Sequence, residues 1–169
     1  ILYFGNINLG WFGIVFTYLC MLAAINAFNM VDGIDGLVGS LSMNTFISII
    51  ILTLLSSYSP SIPHNFVLII ATLIAVAIVP YLLFNLANSN SGIKKVFMGD
   101  AGSMFIGLSV IWLLAHSTQG DNAVFRPVTA LWIIAVPIID MLAIIGRRLH
   151  RGENPFKPDR DHLHHIFMR

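Results

Sequence analysis

Charged residues are scarce in this chain. Only 10% of its 169 residues are Asp, Glu, Lys or Arg, whereas 57% are hydrophobic and the mean hydropathy is +0.83. Soluble globular domains carry about 25% charged residues, so the composition excludes that class and indicates an integral membrane protein. The net charge of +1 gives no reason to expect a nucleic-acid partner.

Cysteine is scarcer still. The only one, Cys20, has no partner for an intrachain disulfide. A zinc site is disfavoured, because the H-L-H-H sequence at 162–165 lacks the H-E-x-x-H spacing of zinc proteases and no cysteine is nearby. Internal repeats and low-complexity segments are also absent, so residues 1–169 are predicted to form a single membrane domain.

Long apolar runs are what the chain has in abundance. They cover residues 11–31, 37–56, 66–87, 102–116 and 127–146. Most approach the roughly 20 residues that a spanning helix needs, and they are too long for the strands of a barrel. We therefore predict an all-α, polytopic integral membrane helical bundle with five transmembrane helices, of which the fourth is the shortest.

Three polar clusters, at residues 26–36, 94–103 and 147–165, are separated from one another by pairs of apolar runs. An even number of crossings returns the chain to the same side of the membrane, so the three clusters are predicted to share one face. All the basic residues except Arg126 lie on that face, and an excess of Lys and Arg marks the cytoplasmic side.

The first cluster contains two carboxylates, Asp32 and Asp35, each followed by glycine. On a helical turn they would share one face. Glycine permits a sharp break between two spans and close approach of a polar ligand. Asn26 and Asn29 lie in or beside the apolar run, where unpaired amides are costly, and this favours a binding site over a plain cytoplasmic turn.

The second cluster places Asp100 just before a helix predicted to begin near Ser103. Backbone N–H groups at a helix start attract phosphate, and Mg²⁺ is commonly held by one or two carboxylates together with substrate phosphates. The alternative role for Asp100 is a helix N-cap. Phe97 is either a stacking face for a nucleobase or a membrane-interface aromatic. Asn85 is either a ligand contact or a helix-to-helix hydrogen bond.

The third cluster gathers arginines and imidazoles after the fifth run, and phosphate oxygens are their natural target. Within that run Asp140 is an ionisable group in a costly environment. Arg147, seven residues further on, shares its helical face and is a candidate partner.

Three motifs follow one another along the chain: N-A-F-N-M-V-D-G-I-D-G-L at 26–37, K-V-F-M-G-D-A-G-S at 95–103 and P-F-K-P-D-R-D-H-L-H-H at 155–165. They resemble the motifs of the polyprenyl-phosphate N-acetylhexosamine-1-phosphate transferases. The resemblance implies a reaction, dependent on Mg²⁺ or on Mn²⁺ in its place, in which a polyprenyl-phosphate lipid carrier attacks a UDP-sugar and UMP is released. The H-L-H-H form resembles the branch that uses UDP-N-acetylglucosamine, since the peptidoglycan-precursor branch carries three consecutive histidines.

The resemblance also implies roles for individual residues. Asp100 is expected to bind the metal, and Asp32 and Asp35 to line the nucleotide and metal pocket as catalytic acids. Phe97 is expected to stack on uracil. The remaining residues expected to contact substrate or to support that contact are Asn29, Asn85, Arg147, Arg151, His162, His164 and His165.

One motif of the family, an adjacent pair of aspartates with a lysine shortly after, is absent here. We therefore expect the chain to be a piece of a longer transferase of a bacterial inner membrane, with activity belonging to the parent protein. Its expected partners are the UDP-sugar, the undecaprenyl phosphate carrier, membrane lipids and a second copy of the chain in a homodimer. A transporter, another UDP-N-acetylhexosamine as donor and a purely structural membrane subunit stay open as alternatives.

Overall fold

In the computed structural model, residues 10–56, 62–87, 94–119 and 123–152 are described. These segments form helices and contain no strand, so the all-α prediction is confirmed. The described segments contain six helices: α1 (Gly10–Val31), α2 (Leu37–Leu55), α3 (Ile62–Asn85), α4 (Gly99–Thr118), α5 (Pro127–Ile133) and α6 (Ala135–His150).

Four of these helices are long and apolar enough to cross a membrane, over Trp11–Val31, Leu37–Leu55, Asn65–Asn85 and Gly99–Thr118. A helix rises about 1.5 Å per residue, so 20 residues cover the roughly 30 Å of a hydrocarbon core. Large apolar side chains such as Leu54 and Leu73 face outward, 67% and 61% exposed. Lipid rather than water suits such a surface, and the chain is an integral membrane protein.

The fourth span is complete although its apolar run is short. Helix α4 covers 20 residues and includes several hydroxyl side chains. Ser109 donates to the carbonyl of Phe105 at 2.8 Å, and Thr118 to that of Leu114 at 2.9 Å. Because these hydroxyls bond to their own helix, they enter the membrane at little cost.

The fifth predicted span consists of two helices with a break between them, and the sequence did not predict this break. Helices α5 and α6 meet at Ile134 with a bend of 72°. Pro137 follows the bend by three residues and has no N–H to donate to the carbonyl of Ile133. In the described part of the chain there are therefore four spans, or five if the bent pair is one crossing.

The helices pack in a pattern that brings two polar loops together. Helix α1 packs mainly against α4 and α6, and α2 mainly against α3. At Gly107 the backbones of α1 and α4 approach so closely that a Cβ would lie 2.9 Å from the Cα of Ile25. Residues 32–36, between α1 and α2, and residues 94–98, just before α4, are joined by the ion pair of Asp35 with Lys95. They therefore lie at the same end of the bundle, as predicted for the first two polar clusters.

Candidate active site

The acidic loop, residues 32–36, joins α1 to α2 as a turn. The Gly33 N–H donates to the carbonyl of Val31 at 2.7 Å, and that of Leu37 to the carbonyl of Ile34 at 3.1 Å. Gly36 has φ +76°, a left-handed conformation that glycine adopts without strain. The predicted break between spans is confirmed, but the two aspartates lie in a turn and not on a shared helical face. Asp32 is partly buried and Asp35 is exposed.

The Phe97 segment, residues 94–98, leads into α4 without regular secondary structure. Helix α4 begins at Gly99, earlier than the predicted start near Ser103, so Asp100 lies inside its first turn. The N-cap residue is Met98, which makes no side-chain cap bond. The N-cap interpretation of Asp100 is therefore wrong. Its exposed carboxylate lies at the positive end of the helix dipole, where it can act on a ligand.

Asn85, at the end of α3, connects the acidic loop to the Phe97 segment. It is 2% exposed. Its Nδ2 donates to the carbonyl of Val96 at 2.8 Å, and its Oδ1 accepts a hydrogen bond from the Gly36 N–H. The amide thus bonds to one backbone group in each loop and fixes their relative position.

A second link between the two loops lies at the surface. Lys95 Nζ forms an ion pair with Asp35 Oδ2, and the two side chains are 36% and 38% exposed. Sequence reasoning used Lys95 only to orient the chain in the membrane. Its place within the K-V-F-M-G-D-A-G-S motif was the signal for a role at the site.

The last turn of α1 is joined to Ser103, near the start of α4. Ser103 is fully buried, and its Oγ donates to Asn29 Oδ1 at 2.6 Å. Among the described residues the Nδ2 group of Asn29 has no hydrogen-bond partner, so its two donors are available to a ligand. Ser103 was not singled out from the sequence, although it closes the same motif.

The carboxylates of Asp32 and Asp100 interact electrostatically. Burial raises the pKa of Asp32 above its ordinary value of 3.8, and the negative charge of Asp100 raises it further. Repulsion between two neighbouring carboxylates is relieved by a proton or by a divalent cation. The fold thus places the carboxylates of Asp32 and Asp100 close enough to repel each other, and Asp35 lies in the same loop as Asp32.

With this geometry in place, comparison with known proteins is informative. The family model described as glycosyl transferase family 4 matches residues 1–118. The chain belongs to glycosyl transferase family 4. The match includes both loops of the acidic site, so the clustered carboxylates lie in the part of the chain that carries the family's sequence pattern.

Relatives of this family 4 chain include two named undecaprenyl-phosphate alpha-N-acetylglucosaminyl 1-phosphate transferase. The Yersinia pestis protein is 52% identical and the Escherichia coli K12 protein 49% identical, each over 161 residues that make up 95% of this chain. The chain spans 42% of the length of these relatives. No solved structure matches it.

Phe97 lies beside an open apolar cavity in this family 4 chain. Its side chain is 73% exposed. The cavity has a volume of about 300 Å³, lies between α3 and α4, and is also lined by Tyr81, Met98 and Phe105. An exposed ring at the edge of a cavity can stack on a planar ligand. Uracil stacking stays a prediction.

Two acids suit Mg²⁺ better than they suit zinc. Among the described residues no group of three or more His, Cys, Asp or Glu side chains is arranged to hold a metal. Mg²⁺ needs fewer protein ligands, because it retains waters and takes substrate phosphates as ligands. Asp100, with Asp32 nearby, offers hard oxygen donors of the right kind, and the metal role of Asp100 stays a prediction.

The third polar cluster is only partly within the described residues. Arg147 lies in the last turn of α6, where its Nε donates to the carbonyl of Ala143 at 3.3 Å. Arg151 follows the helix, and its N–H donates to the carbonyls of Arg147 and Arg148 at 3.1 Å. The predicted substrate contacts at His162, His164 and His165 lie outside the described residues.

Asp140 is a buried acid away from the two loops. It is 5% exposed, and its Oδ1 has no hydrogen-bond partner in the segments that the structure describes. The predicted ion pair with Arg147 is not formed among those segments.

Proposed function

We propose that the protein transfers N-acetylglucosamine 1-phosphate from UDP-N-acetylglucosamine to undecaprenyl phosphate, releasing UMP. The product would be a lipid-linked pyrophosphoryl sugar, the first intermediate of a surface glycan. One observation carries the proposal: the fold joins the acidic loop to the Phe97 segment in a family 4 chain. The names of relatives about half identical to it support the choice of donor and acceptor.

The proposed reaction is a phosphoryl transfer between two phosphates. An oxygen of the acceptor phosphate attacks the β-phosphorus of the UDP-sugar, which carries the sugar. A new P–O bond forms, and the bond from the β-phosphorus to the oxygen that bridges it to the α-phosphorus breaks. That oxygen leaves as part of UMP with its electron pair, so no water is consumed. Catalysis then depends mainly on positioning and charge stabilisation.

The acidic cluster would provide the charge stabilisation by holding a cation. Asp100 would be the direct Mg²⁺ ligand, and Asp32 and Asp35 would line the pocket around it. Bound there, Mg²⁺ supplies Lewis-acid neutralisation of the diphosphate. The raised pKa of Asp32 agrees with a site whose acids repel each other when no cation is bound.

Neutral and aromatic groups would hold the nucleotide. The free Nδ2 donors of Asn29 and the backbone N–H groups at the start of α4 suit phosphate oxygens. Phe97 would stack on uracil. Asn85 would support these groups from the protein interior. The phosphates or the sugar would be approached by Arg147, Arg151 and the histidines at 162, 164 and 165.

The proposed site faces the cytoplasm, where UDP-sugars are made. Lys94 and Lys95 flank it, and basic residues in short loops favour the cytoplasmic side. The acidic loop also lies at the end of α1, directly beside the bilayer surface, where a lipid-borne phosphate would arrive.

The deciding experiment measures UMP release from UDP-N-acetylglucosamine and undecaprenyl phosphate. It uses membranes that contain the full-length protein, with Mg²⁺ or with a chelator. We expect Mg²⁺-dependent release, reduced about a hundredfold or more by Asp100→Ala, since loss of one charge-stabilising group is commonly worth that much. Asn44→Ala is the control, because Asn44 is exposed on α2 and outside the cluster.

Release by Asp100→Ala at the wild-type rate, with normal insertion, would contradict the proposed role of this acid. No release by the wild type would reject UDP-N-acetylglucosamine as the donor. Parallel assays with UDP-N-acetylgalactosamine and the UDP-linked peptidoglycan precursor then distinguish another donor from the absence of transfer chemistry.

A further inference from the structure

We propose that Lys95 is a positioning residue of the donor site, and that its ion pair with Asp35 holds the Phe97 segment against the acidic loop. This inference rests on the proposed function. It assigns a role to a lysine that does not itself contact the reacting atoms.

The Phe97 segment depends on side-chain contacts for its position. Residues 94–98 have no regular secondary structure. Two contacts tie the segment to the acidic loop: Asn85 bonds to the Val96 carbonyl from the interior, and Lys95 pairs with Asp35 at the surface. Val96 and Lys95 directly precede Phe97, so both ties act on the backbone that carries the ring.

The two ties differ in what they can contribute. The Asn85 amide is 2% exposed and is part of the folded interior. The Lys95–Asp35 pair is more than a third exposed at each end and is screened by solvent. Such a pair contributes little to global stability. Its effect is local, because it fixes the distance between Asp35 and the ring of Phe97.

Charge supports the same role. Asp32, Asp35 and Asp100 place negative charge where a negatively charged nucleotide would have to bind. Within the described segments, Lys95 is the cation paired with one of these acids. The ion pair neutralises Asp35 and so lowers the repulsion that a diphosphate would meet.

The neighbouring lysine provides a matched control. Lys94 is exposed, carries the same charge, and makes no hydrogen bond or ion pair with the described residues. Lys94→Met and Lys95→Met therefore change net charge, side-chain size and membrane-surface potential equally. They differ in the contact with Asp35.

The test measures kcat and KM for UDP-N-acetylglucosamine in the full-length protein. We expect Lys95→Met to raise KM about two- to fivefold with kcat within about twofold, the size expected from an exposed ion pair. Lys95→Arg, which keeps the pair, should restore KM, and Lys94→Met should leave it unchanged. Equal effects of Lys94→Met and Lys95→Met would overturn the inference.

A second measurement separates positioning from direct contact with the diphosphate. UDP-N-acetylglucosamine binding is measured by calorimetry for Asp35→Asn, Lys95→Met and the double variant. Because calorimetry measures binding directly, the comparison is valid even for a variant that has lost turnover. If Lys95 acts through Asp35, Lys95→Met adds no further loss in the Asp35→Asn background. If Lys95→Met lowers the affinity as much in the Asp35→Asn background as in the wild type, the positioning role is overturned. Absence of UMP release and of binding in the wild type would instead reject the proposed function.

Discussion

At the scale of single residues, the site is built on polar side chains that bond to other parts of the protein. Asn85 joins Gly36 to Val96, and Ser103 joins α4 to Asn29. Their burial means that each lost partner leaves an unsatisfied group without access to water. These residues therefore determine where the exposed acids lie, although they are not acids themselves.

Replacing Asn85 tests this arrangement. Asn85→Ala removes the bond to the Val96 carbonyl and leaves the buried Gly36 N–H without its acceptor. An unsatisfied buried group costs about 1–3 kcal/mol. We expect a lower midpoint of thermal unfolding in detergent for the full-length protein. Asn44→Ala, which removes an exposed amide from α2, should leave the midpoint unchanged. An equal unfolding midpoint for both variants would contradict the stabilising role of the Asn85 hydrogen bonds.

The pKa of Asp32 predicts a pH dependence of stability. Because burial and Asp100 raise this pKa above 3.8, the folded protein binds the proton more tightly than the unfolded chain does. Stability without metal should therefore fall as the pH rises from the ordinary pKa of an aspartate to the raised one. Asp100→Asn removes the repelling charge and should flatten this fall.

The measurement is the midpoint of thermal unfolding against pH in the presence of a chelator. Wild type and Asp100→Asn are compared over the acidic range, at constant ionic strength. Parallel curves for the two proteins would show that the charge of Asp100 does not act on Asp32.

At the scale of helices, glycines set how closely the spans approach. A Cβ at Gly107 would lie 2.9 Å from the backbone of Ile25 in α1, and one at Gly39 would lie 2.6 Å from the side chain of Leu82 in α3. Small residues allow membrane helices to pack closely, where dispersion forces and backbone contacts hold them together. Contact of α4 with α1 places Ser103 beside Asn29.

Gly107→Ala should push α4 away from α1. Overpacking of this kind costs about 1–3 kcal/mol. The expected results are a lower unfolding midpoint and weaker UMP release, because the carboxylates of Asp100 and Asp32 move apart. Gly146→Ala is the control, since a Cβ there meets nothing within 4 Å and alanine favours a helix. If Gly107→Ala changes neither the unfolding midpoint nor UMP release, close contact of the two helices at this glycine is not required.

At the scale of the whole molecule, the four clear spans place both site loops at one end. The basic residues beside these loops predict that this end is cytoplasmic. In a cysteine-free background of the full-length protein, which includes Cys20→Ser, Lys94→Cys should react with a membrane-impermeant maleimide in inverted vesicles, and Gln119→Cys in right-side-out vesicles. The reverse pattern of labelling would place the site on the opposite face and contradict access to cytoplasmic UDP-sugars.

The sequence by itself determined the class of the protein, the number of apolar segments and the residues that could carry chemistry. Hydropathy along a segment reports whether it can enter a membrane, and the parity of crossings then predicts which loops share a side. The bend at Ile134 was missed, because the apolar composition of residues 127–146 conceals the effect of Pro137 on the helix.

Only the tertiary structure decided how the loops meet. The contacts that build the site join residues 49, 60 and 74 positions apart in the chain, at Gly36 and Asn85, Asp35 and Lys95, and Asn29 and Ser103. Local composition cannot specify such pairs, because they depend on which helix faces pack together. The carboxylates were therefore predictable from sequence, whereas the side chains that position them became visible only in the fold.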